Sequence, residues 1–336
     1  MREATLYEKL PDGAVRCHLC AHECTIKGGK RGICHVRENR DGSLMSLVYG
    51  KIVSMNVDPI EKKPLFHFLP SSQSLSIATV GCNFTCRHCQ NSDISQYPKF
   101  HGGEITGRDI SPAEVVDAAA RLGCESISYT YTEPTIFMEF AYDCAVQARA
   151  RGIKNVFVSN GFMTPQSADY MIPYLDGNNI DLKGDEAFYA RVCGAHLDPV
   201  KETIRRMKRG GVWVEVTTLV IPGHNDSPDL LSAIADFIHS VDPEMPWHVT
   251  QFYPTYKMTD RPRTPLATLK SARQIGLSRG LAFVYEGNVP GEEGENTFCP
   301  GCGTTLIRRM GFRVAANRIS TGCCPDCGRT IPGVWH

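Results

Sequence analysis

Gly81-Cys82-Asn83-Phe84-Thr85-Cys86-Arg87-His88-Cys89-Gln90-Asn91 sets three cysteines at C-x3-C-x2-C spacing, directly after a β-prone run from Ser74 to Val80. Three thiolates on one tight loop suit three irons of a [4Fe–4S] cube, a cluster that ordinarily takes four cysteines. The fourth iron is then left open, by the same logic that separates a catalytic zinc site from a closed structural one. The alternatives are a zinc site or an accidental group of buried thiols. Zinc knuckles usually come as two CxxC pairs, which this triplet is not.

Working outward, residues 74–291 repeat one pattern: a short β-rich run, a loop, an amphipathic helix. The helix starts are legible, because Ser111-Pro112, Thr164-Pro165, Asp198-Pro199, Ser227-Pro228 and Thr264-Pro265 each place a capping oxygen before a proline suited to the first helical position. Glu114, three residues after Ser111, completes a capping box. Between the helices, strands are expected over 126–131, 155–159, 178–182, 212–221, 247–252 and 281–285. With 74–80 this makes about seven strands alternating with helices, which predicts an α/β fold with a parallel sheet curled into a full or partial barrel. In such folds the chemistry sits at the C-terminal ends of the strands, where the cysteine triplet falls. Further strand ends carry polar residues: Thr132-Glu133-Pro134, Ser159-Asn160-Gly161, Asp181-Leu182-Lys183 and Asn288, with His248 and Gln251 on the sixth strand. Each alone reads equally well as a turn, a surface ion pair or a structural histidine; their recurrence at successive strand ends points to one shared site.

The cysteine loop resembles the signature of the radical S-adenosylmethionine (SAM) enzymes, although His88 stands where Phe or Tyr is commonest. The resemblance implies that the open iron chelates the amino and carboxylate groups of SAM. Reduction of the cluster then releases a 5′-deoxyadenosyl radical that abstracts hydrogen from a substrate. Residues 74–291 are similar to the branch containing the pyruvate formate-lyase activating enzymes, implying a partial (β/α)6-type barrel. In that branch a Gly-Gly-Glu-Pro segment holds the methionine ammonium through its glutamate. Glu133-Pro134 matches its second half, while Tyr131-Thr132 replaces the glycines. Ser159-Asn160-Gly161 resembles the branch's Thr-Asn-Gly, and Asp181 and Lys183 match its Asp-Leu-Lys, implicated in a cation site and SAM contacts. His248 and Asn288 fit positions near ribose and adenine.

The flanks, residues 1–73 and 292–336, break the alternation and each carries its own cysteine group, which suggests two small modules around the barrel. Cys299-Pro300-Gly301-Cys302-Gly303 and Cys324-Pro325-Asp326-Cys327-Gly328 are paired C-P-x-C-G knuckles, a closed four-thiolate site that favours zinc. A single iron or a redox pair are the alternatives, and Cys323 is a bystander. Cys17, Cys20, Cys24 and Cys34, with Gly28, Gly29 and Gly32, suit a metal-stapled loop holding zinc or an auxiliary iron–sulfur cluster, with His18, His22 and His35 as substitute ligands. Four free thiols is the bland alternative. Cys124, Cys144 and Cys193 stand alone and read as core packing. With both flanks included, nearly the whole chain, down to Ile331-Pro332-Gly333-Val334-Trp335, resembles the radical SAM member of the AmmeMemoRadiSam system. That implies association with AMMECR-type and Memo-type proteins.

Composition bounds the rest. Lys plus Arg equals Asp plus Glu at 36 each, so no net field draws nucleic acid or anionic lipid. Met1-Arg2-Glu3-Ala4-Thr5 has no apolar run like a signal peptide, and no stretch is long and apolar enough for a membrane span. Fifteen cysteines in a chain of 336 residues, many at metal-type spacing, suit metal ligation in a reducing cytoplasm. The leading expectation is a radical SAM enzyme fed by a low-potential electron donor of flavodoxin or ferredoxin type, acting on a protein or small molecule rather than nucleic acid. A glycyl-radical enzyme activase is the alternative within enzymes; such activases often carry a ferredoxin-like insertion after the triplet, which is lacking here. A non-catalytic metal scaffold or iron sensor is the alternative outside them, and it leaves Glu133, Asp181 and Lys183 without a purpose.

Overall fold

The computed structural model describes all 336 residues. Seven parallel strands form its centre: β1 (Gln73–Ala78), β2 (Ser126–Tyr129), β3 (Lys154–Ser159), β4 (Gly177–Asp181), β5 (Trp213–Val220), β6 (Trp247–Gln251) and β7 (Val284–Gly287). Each pairs with its neighbour in chain order. The crossovers carry α1 (Pro112–Arg121), α2 (Met138–Ala150), α3 (Pro165–Met171), α4 (Asp198–Arg209), α5 (Pro228–Val241) and α6 (Leu266–Ser278). The α/β architecture expected from the alternation is therefore present. β2 and β6 are buried along their whole length, as parallel strands covered on both faces must be.

Boundaries differ from expectation where the backbone turns. The second strand stops at Tyr129, because Tyr131 adopts φ 60°. The last begins at Val284 rather than Leu281, whose N–H still closes the turn after α6 by donating to Gly276. Ser111 and Glu114 form the expected capping box, Thr164 caps α3 and Ser227 caps α5; such caps each contribute about 1 kcal/mol. Two expected caps are corrected. Asp198 lies within the first turn of α4 and caps nothing. Thr264 is buried, its hydroxyl donating to the Val220 carbonyl at 2.6 Å and accepting from Phe252 N–H at 2.9 Å, so it ties two strand ends together.

The two flanks join the barrel differently. Within the stretch 1–73, strand Ser54–Pro59 pairs antiparallel with β1 over six residue pairs, so the barrel's sheet extends into the N-terminal flank. Ala4, Val15, Leu19 and Val36 share one continuous core with the barrel. The C-terminal flank instead builds its own small core from Leu306, Ile307, Ile319 and Ile331 around Phe66 and Tyr285. Its three antiparallel strands, Thr297–Phe298, Thr305–Met310 and Arg313–Asn317, include the expected hairpin.

A floor closes the N-terminal end of the barrel. Glu215, near the start of β5, accepts hydrogen bonds from the N–H groups of Phe66 and His67 at 3.0 and 2.8 Å. The final residues lock this segment from outside: Leu69 N–H donates to Val334 and Val334 N–H to His67, both at 2.7 Å. Gly333 is required there, since a β-carbon would meet the His67 carbonyl at 2.8 Å. No helix is long and apolar enough to cross a membrane.

Candidate active site

At the opposite end of the barrel the strand tips surround a cleft of about 470 Å3, within the usual range for small-molecule sites. Cys82, Cys86 and Cys89 line it, and so do Glu133, Ser159, Asn160, Asp181, Lys183 and Asn288. The structure thus brings together six of the seven side chains expected to contact the cofactor. His248 is the exception. It lies in the floor, 1% exposed, with Nε2 at 2.6 Å from Glu215 and its ring stacked on Tyr285. It does not line the cleft, which corrects its expected place beside ribose and adenine.

The cysteine loop is held from several sides. Phe84 N–H donates to the Cys82 sulfur at 3.4 Å, and the Ser95 hydroxyl lies 3.2 Å from the Cys89 sulfur. Thr85 N–H donates to the carbonyl of Cys193 and Arg87 N–H to that of Val192, so a π-helical turn, Tyr189–Cys193, clamps the loop. Such turns inside helical segments concentrate at functional sites. Cys193, read from sequence as core packing, is buried in the core and lies close enough to Cys86 to act on its thiol. The Cys193 side chain first, and burial second, push the Cys86 thiol well up; burial does the same to Cys82. A bound metal reverses this by displacing the proton. His88 is buried among these groups, 5.9 Å from the Phe188 ring, and burial pushes it down to about 3, leaving it neutral.

Glu133 is the most strongly anchored carboxylate in the cleft. Oε1 accepts from Thr135 N–H at 3.0 Å, Thr135 hydroxyl at 2.6 Å and Ser159 hydroxyl at 2.8 Å; Oε2 accepts from Asn160 N–H at 2.8 Å. Every donor is neutral. Burial therefore prevails and raises the carboxyl above its ordinary range despite four hydrogen bonds. A cation at the free side of Oε2 would supply what the site lacks. Asn160 also donates from Nδ2 to the Asn83 side chain at 2.7 Å, linking this strand tip to the cysteine loop. Lys183 pairs with Asp181 at 2.6 Å; burial works to lower its pKa, but Asp181 and the Cys86 and Cys193 sulfurs outweigh it, and the ammonium is held well up. Asn288, with φ 61°, is exposed at the rim and donates to the Gln251 carbonyl at 3.1 Å.

Sequence reasoning missed the wall opposite. Tyr131 occupies the place of a glycine in the resemblance and takes the left-handed conformation a glycine would favour, an uncommon state for a bulky residue. Its hydroxyl donates to Asp58, Lys63 Nζ lies 4.7 Å over its ring, and its carbonyl accepts from Asn91 Nδ2 at 2.7 Å. Asp58 also pairs with Lys62 and Lys63 at 2.8 and 2.7 Å. Burial lowers Lys63 to about 8. Asp58 comes from the antiparallel edge strand, whose pairing with β1 no local pattern announces. Phe312, at the turn of the C-terminal hairpin, also lines the cleft.

The cysteine groups differ in spacing. Cys299, Cys302, Cys324 and Cys327 are the one group of three or more Cys, His, Asp or Glu whose ligand atoms all lie within 4.8 Å of one another. Their sulfurs approach to 3.6 Å in two pairs, Cys299 with Cys327 and Cys302 with Cys324. Metal–sulfur bonds of about 2.3 Å in a tetrahedron put sulfurs about 3.8 Å apart, so the group fits one four-coordinate ion.

A model of the radical SAM superfamily matches residues 76–234. The chain belongs to the radical SAM superfamily. It is an enzyme of that superfamily, which displaces the scaffold alternative. It is 49% identical over 334 residues to an uncharacterized protein of Methanocaldococcus jannaschii, MJ0808, covering 98% of this chain and 99% of that one. A second protein of that organism, the uncharacterized MJ0674, is 24% identical over 285 residues, 80% of this chain and 77% of its own. Among solved structures, Streptococcus suis SuiB bound to S-adenosylmethionine superposes with TM-score 0.51 at 13% identity, covering 68% of this chain and 52% of that one. A radical SAM methyltransferase from Sphaerobacter thermophilus gives TM-score 0.51 at 17% identity, covering 68% and 71%. These two structural likenesses establish the fold of a radical SAM barrel. Superfamily membership carries with it SAM and an iron–sulfur cluster as the expected cofactors.

Proposed function

We propose that this protein cleaves SAM reductively and uses the 5′-deoxyadenosyl radical to abstract hydrogen from a protein or small-molecule substrate. Cys82, Cys86 and Cys89 would hold a [4Fe–4S] cluster, which when bound supplies the low-potential electron and an open iron for SAM. The donor set supports this, since no three of the chain's thiols around this loop sit close enough for a single ion. The remaining work falls to the protein. Glu133, fixed by four neutral donors, is oriented to receive the methionine ammonium at Oε2. Ser159 and Asn160 hold that carboxylate while Asn160 braces the cysteine loop. Lys183, kept charged by Asp181, presents a cation toward the sulfurs, and Asn288 offers a rim amide to adenine. The C-terminal thiols would hold zinc and thereby fix the hairpin that carries Phe312 to the cleft mouth.

The finer assignment is the radical SAM member of the AmmeMemoRadiSam system, with AMMECR-type and Memo-type proteins as candidate partners and a cytoplasmic flavodoxin or ferredoxin as reductant. The observation that carries the reading is the cleft itself, where the cysteine loop and an uncompensated buried carboxylate meet. Anaerobic protein reduced with dithionite should release 5′-deoxyadenosine from SAM, and Cys86→Ala should abolish that release. Cluster-replete protein that neither releases the nucleoside nor binds SAM in a titration would defeat the proposal.

A further inference from the structure

We propose that Cys17, Cys20, Cys24 and Cys34 hold a second iron–sulfur cluster, which passes electrons to the first; this rests on the reading of the Cys82 loop above. All four cysteines line one small cavity in the N-terminal flank, together with Arg37 and Ile136. No three of their sulfurs lie within 4.8 Å of one another, unlike the C-terminal thiols. The Cys82, Cys86 and Cys89 sulfurs share that wider spread. A cube separates its cysteines because each sulfur binds a different iron, whereas one zinc gathers all four.

A second observation points into the same cavity. Arg37 is 1% exposed and pairs with Glu139 at 2.5 and 2.7 Å through its two terminal nitrogens. Its Nε has no hydrogen-bond partner. A buried N–H left over in this way costs about 1–3 kcal/mol, and each such group calls for an explanation. A thiolate-ligated cluster is anionic, so its sulfurs would accept that N–H and accommodate the guanidinium charge.

The location supplies the role. The Cys34 carbonyl packs against Gly81, where a β-carbon would approach it to 3.3 Å, and Cys82 is the next residue. His22, which also lines the cavity, lies 2.9 Å from the Asn83 carbonyl. Lys99 donates to the carbonyls of Cys82 and Phe84 at 3.5 and 3.2 Å and lies within the field of Cys34. The backbone of the cysteine loop is thus the shared wall between the two groups. On the outer side, Cys24 and Cys34 are half-buried and Ile33 is 46% exposed. An electron can therefore enter from the flank while substrate occupies the cleft. One electron from a flavodoxin- or ferredoxin-type donor takes the N-terminal cluster from a 2+ to a 1+ core. Transfer of that electron to the cluster of the Cys82 loop would restore the 2+ core of the N-terminal one, with no bond or proton changed in the relay.

The test uses the full chain, reconstituted anaerobically, with iron, sulfide and zinc counted. Wild type should hold about eight irons and the Cys82→Ser/Cys86→Ser/Cys89→Ser variant about four, as should Cys24→Ser/Cys34→Ser. Reduced by dithionite, the triple variant should retain an electron paramagnetic resonance signal that SAM leaves unchanged, beside a SAM-sensitive signal seen only when the Cys82 loop is intact. A second zinc in place of iron in the triple variant overturns the proposal, as does an N-terminal group that takes no metal. Wild type with one cluster signal that ignores SAM sinks the reading of the Cys82 loop instead. For the relay, Cys24→Ser/Cys34→Ser should lose about tenfold more nucleoside release with flavodoxin as donor than with dithionite. Equal losses with both reductants overturn it.

Discussion

Glu133 and Glu215 sit at opposite ends of the same barrel, each almost wholly buried and each accepting four hydrogen bonds. Glu215 takes them from Phe66 and His67 N–H, Trp213 Nε1 and His248 Nε2. Burial raises its carboxyl, but the His248 contact more than compensates and the group ends below the ordinary range. Glu133 has only neutral partners and ends above it. Equal hydrogen-bond counts therefore hide opposite electrostatics. The floor glutamate is finished by the protein, whereas the cleft glutamate waits for a cation. Such unbalanced burial is a mark of a functional group.

Removing the finished carboxylate should do the most damage. Glu215→Ala leaves two buried backbone N–H groups and His248 unpaired, and should cost about 3–5 kcal/mol in denaturant unfolding. An unchanged midpoint would break the contrast. Glu133→Gln should act the other way round. It should weaken SAM binding by about 10- to 100-fold, the worth of one charge-assisted hydrogen bond, while thermal unfolding shows no loss of stability. His248→Gln sharpens the comparison, since it should lower stability by about 1–3 kcal/mol and leave SAM titrations where they were. A weakened SAM affinity in a fully folded His248→Gln protein would return the residue to the site. The smallest effect is expected for Tyr131→Phe, which removes the bond to Asp58 and should cost about 1 kcal/mol with the cleft otherwise intact.

The two carboxylates also pull stability in opposite directions with pH. Glu215, depressed in the fold, contributes stability above its unfolded pKa that is lost as pH falls through its folded value. Glu133, elevated in the fold, binds its proton more readily than in the unfolded chain, so acidification through its folded value stabilises the protein. Comparing unfolding midpoints of Glu133→Gln and wild type across the carboxyl range should show their difference shrinking as pH falls. A constant difference would place Glu133 outside the titration.

How far the sequence could be read follows from the same geometry. Proline-marked helix starts and β-rich runs are local signals, and they yielded the alternation and its order. Glu133, Ser159, Asn160, Asp181 and Lys183 were legible because strand ends are marked by the turns that follow them. His248 was not, since it shares a face of β6 with Thr250, which does line the cleft. Two residues along a strand span about 7 Å, enough to separate floor from cleft, and nothing local encodes that depth. The Asp58–Lys63–Tyr131 wall depends on an edge strand pairing with β1, and Cys193 meets Cys86 only through the clamp of its turn on the cysteine loop. Both are tertiary facts with no short-range trace. The spacing of the N-terminal cysteines left two metals open, and no local pattern reports how far apart their sulfurs lie in the fold.

The lock of Val334 on the Phe66–Leu69 segment joins positions 265 residues apart at the neighbouring His67–Pro332 contact. Contacts of such long sequence separation form late, because their loop-closure cost is met only once the intervening chain has ordered. Seven strands and the cysteine loop can thus assemble before the floor is bolted. The order has a readable signature: in pulse-labelled refolding, amide protection at Leu69 should lag behind that of β2 and β3. The segment around Val334 then acts as a latch, and its bridge to Phe68 marks a late step in closing the barrel floor.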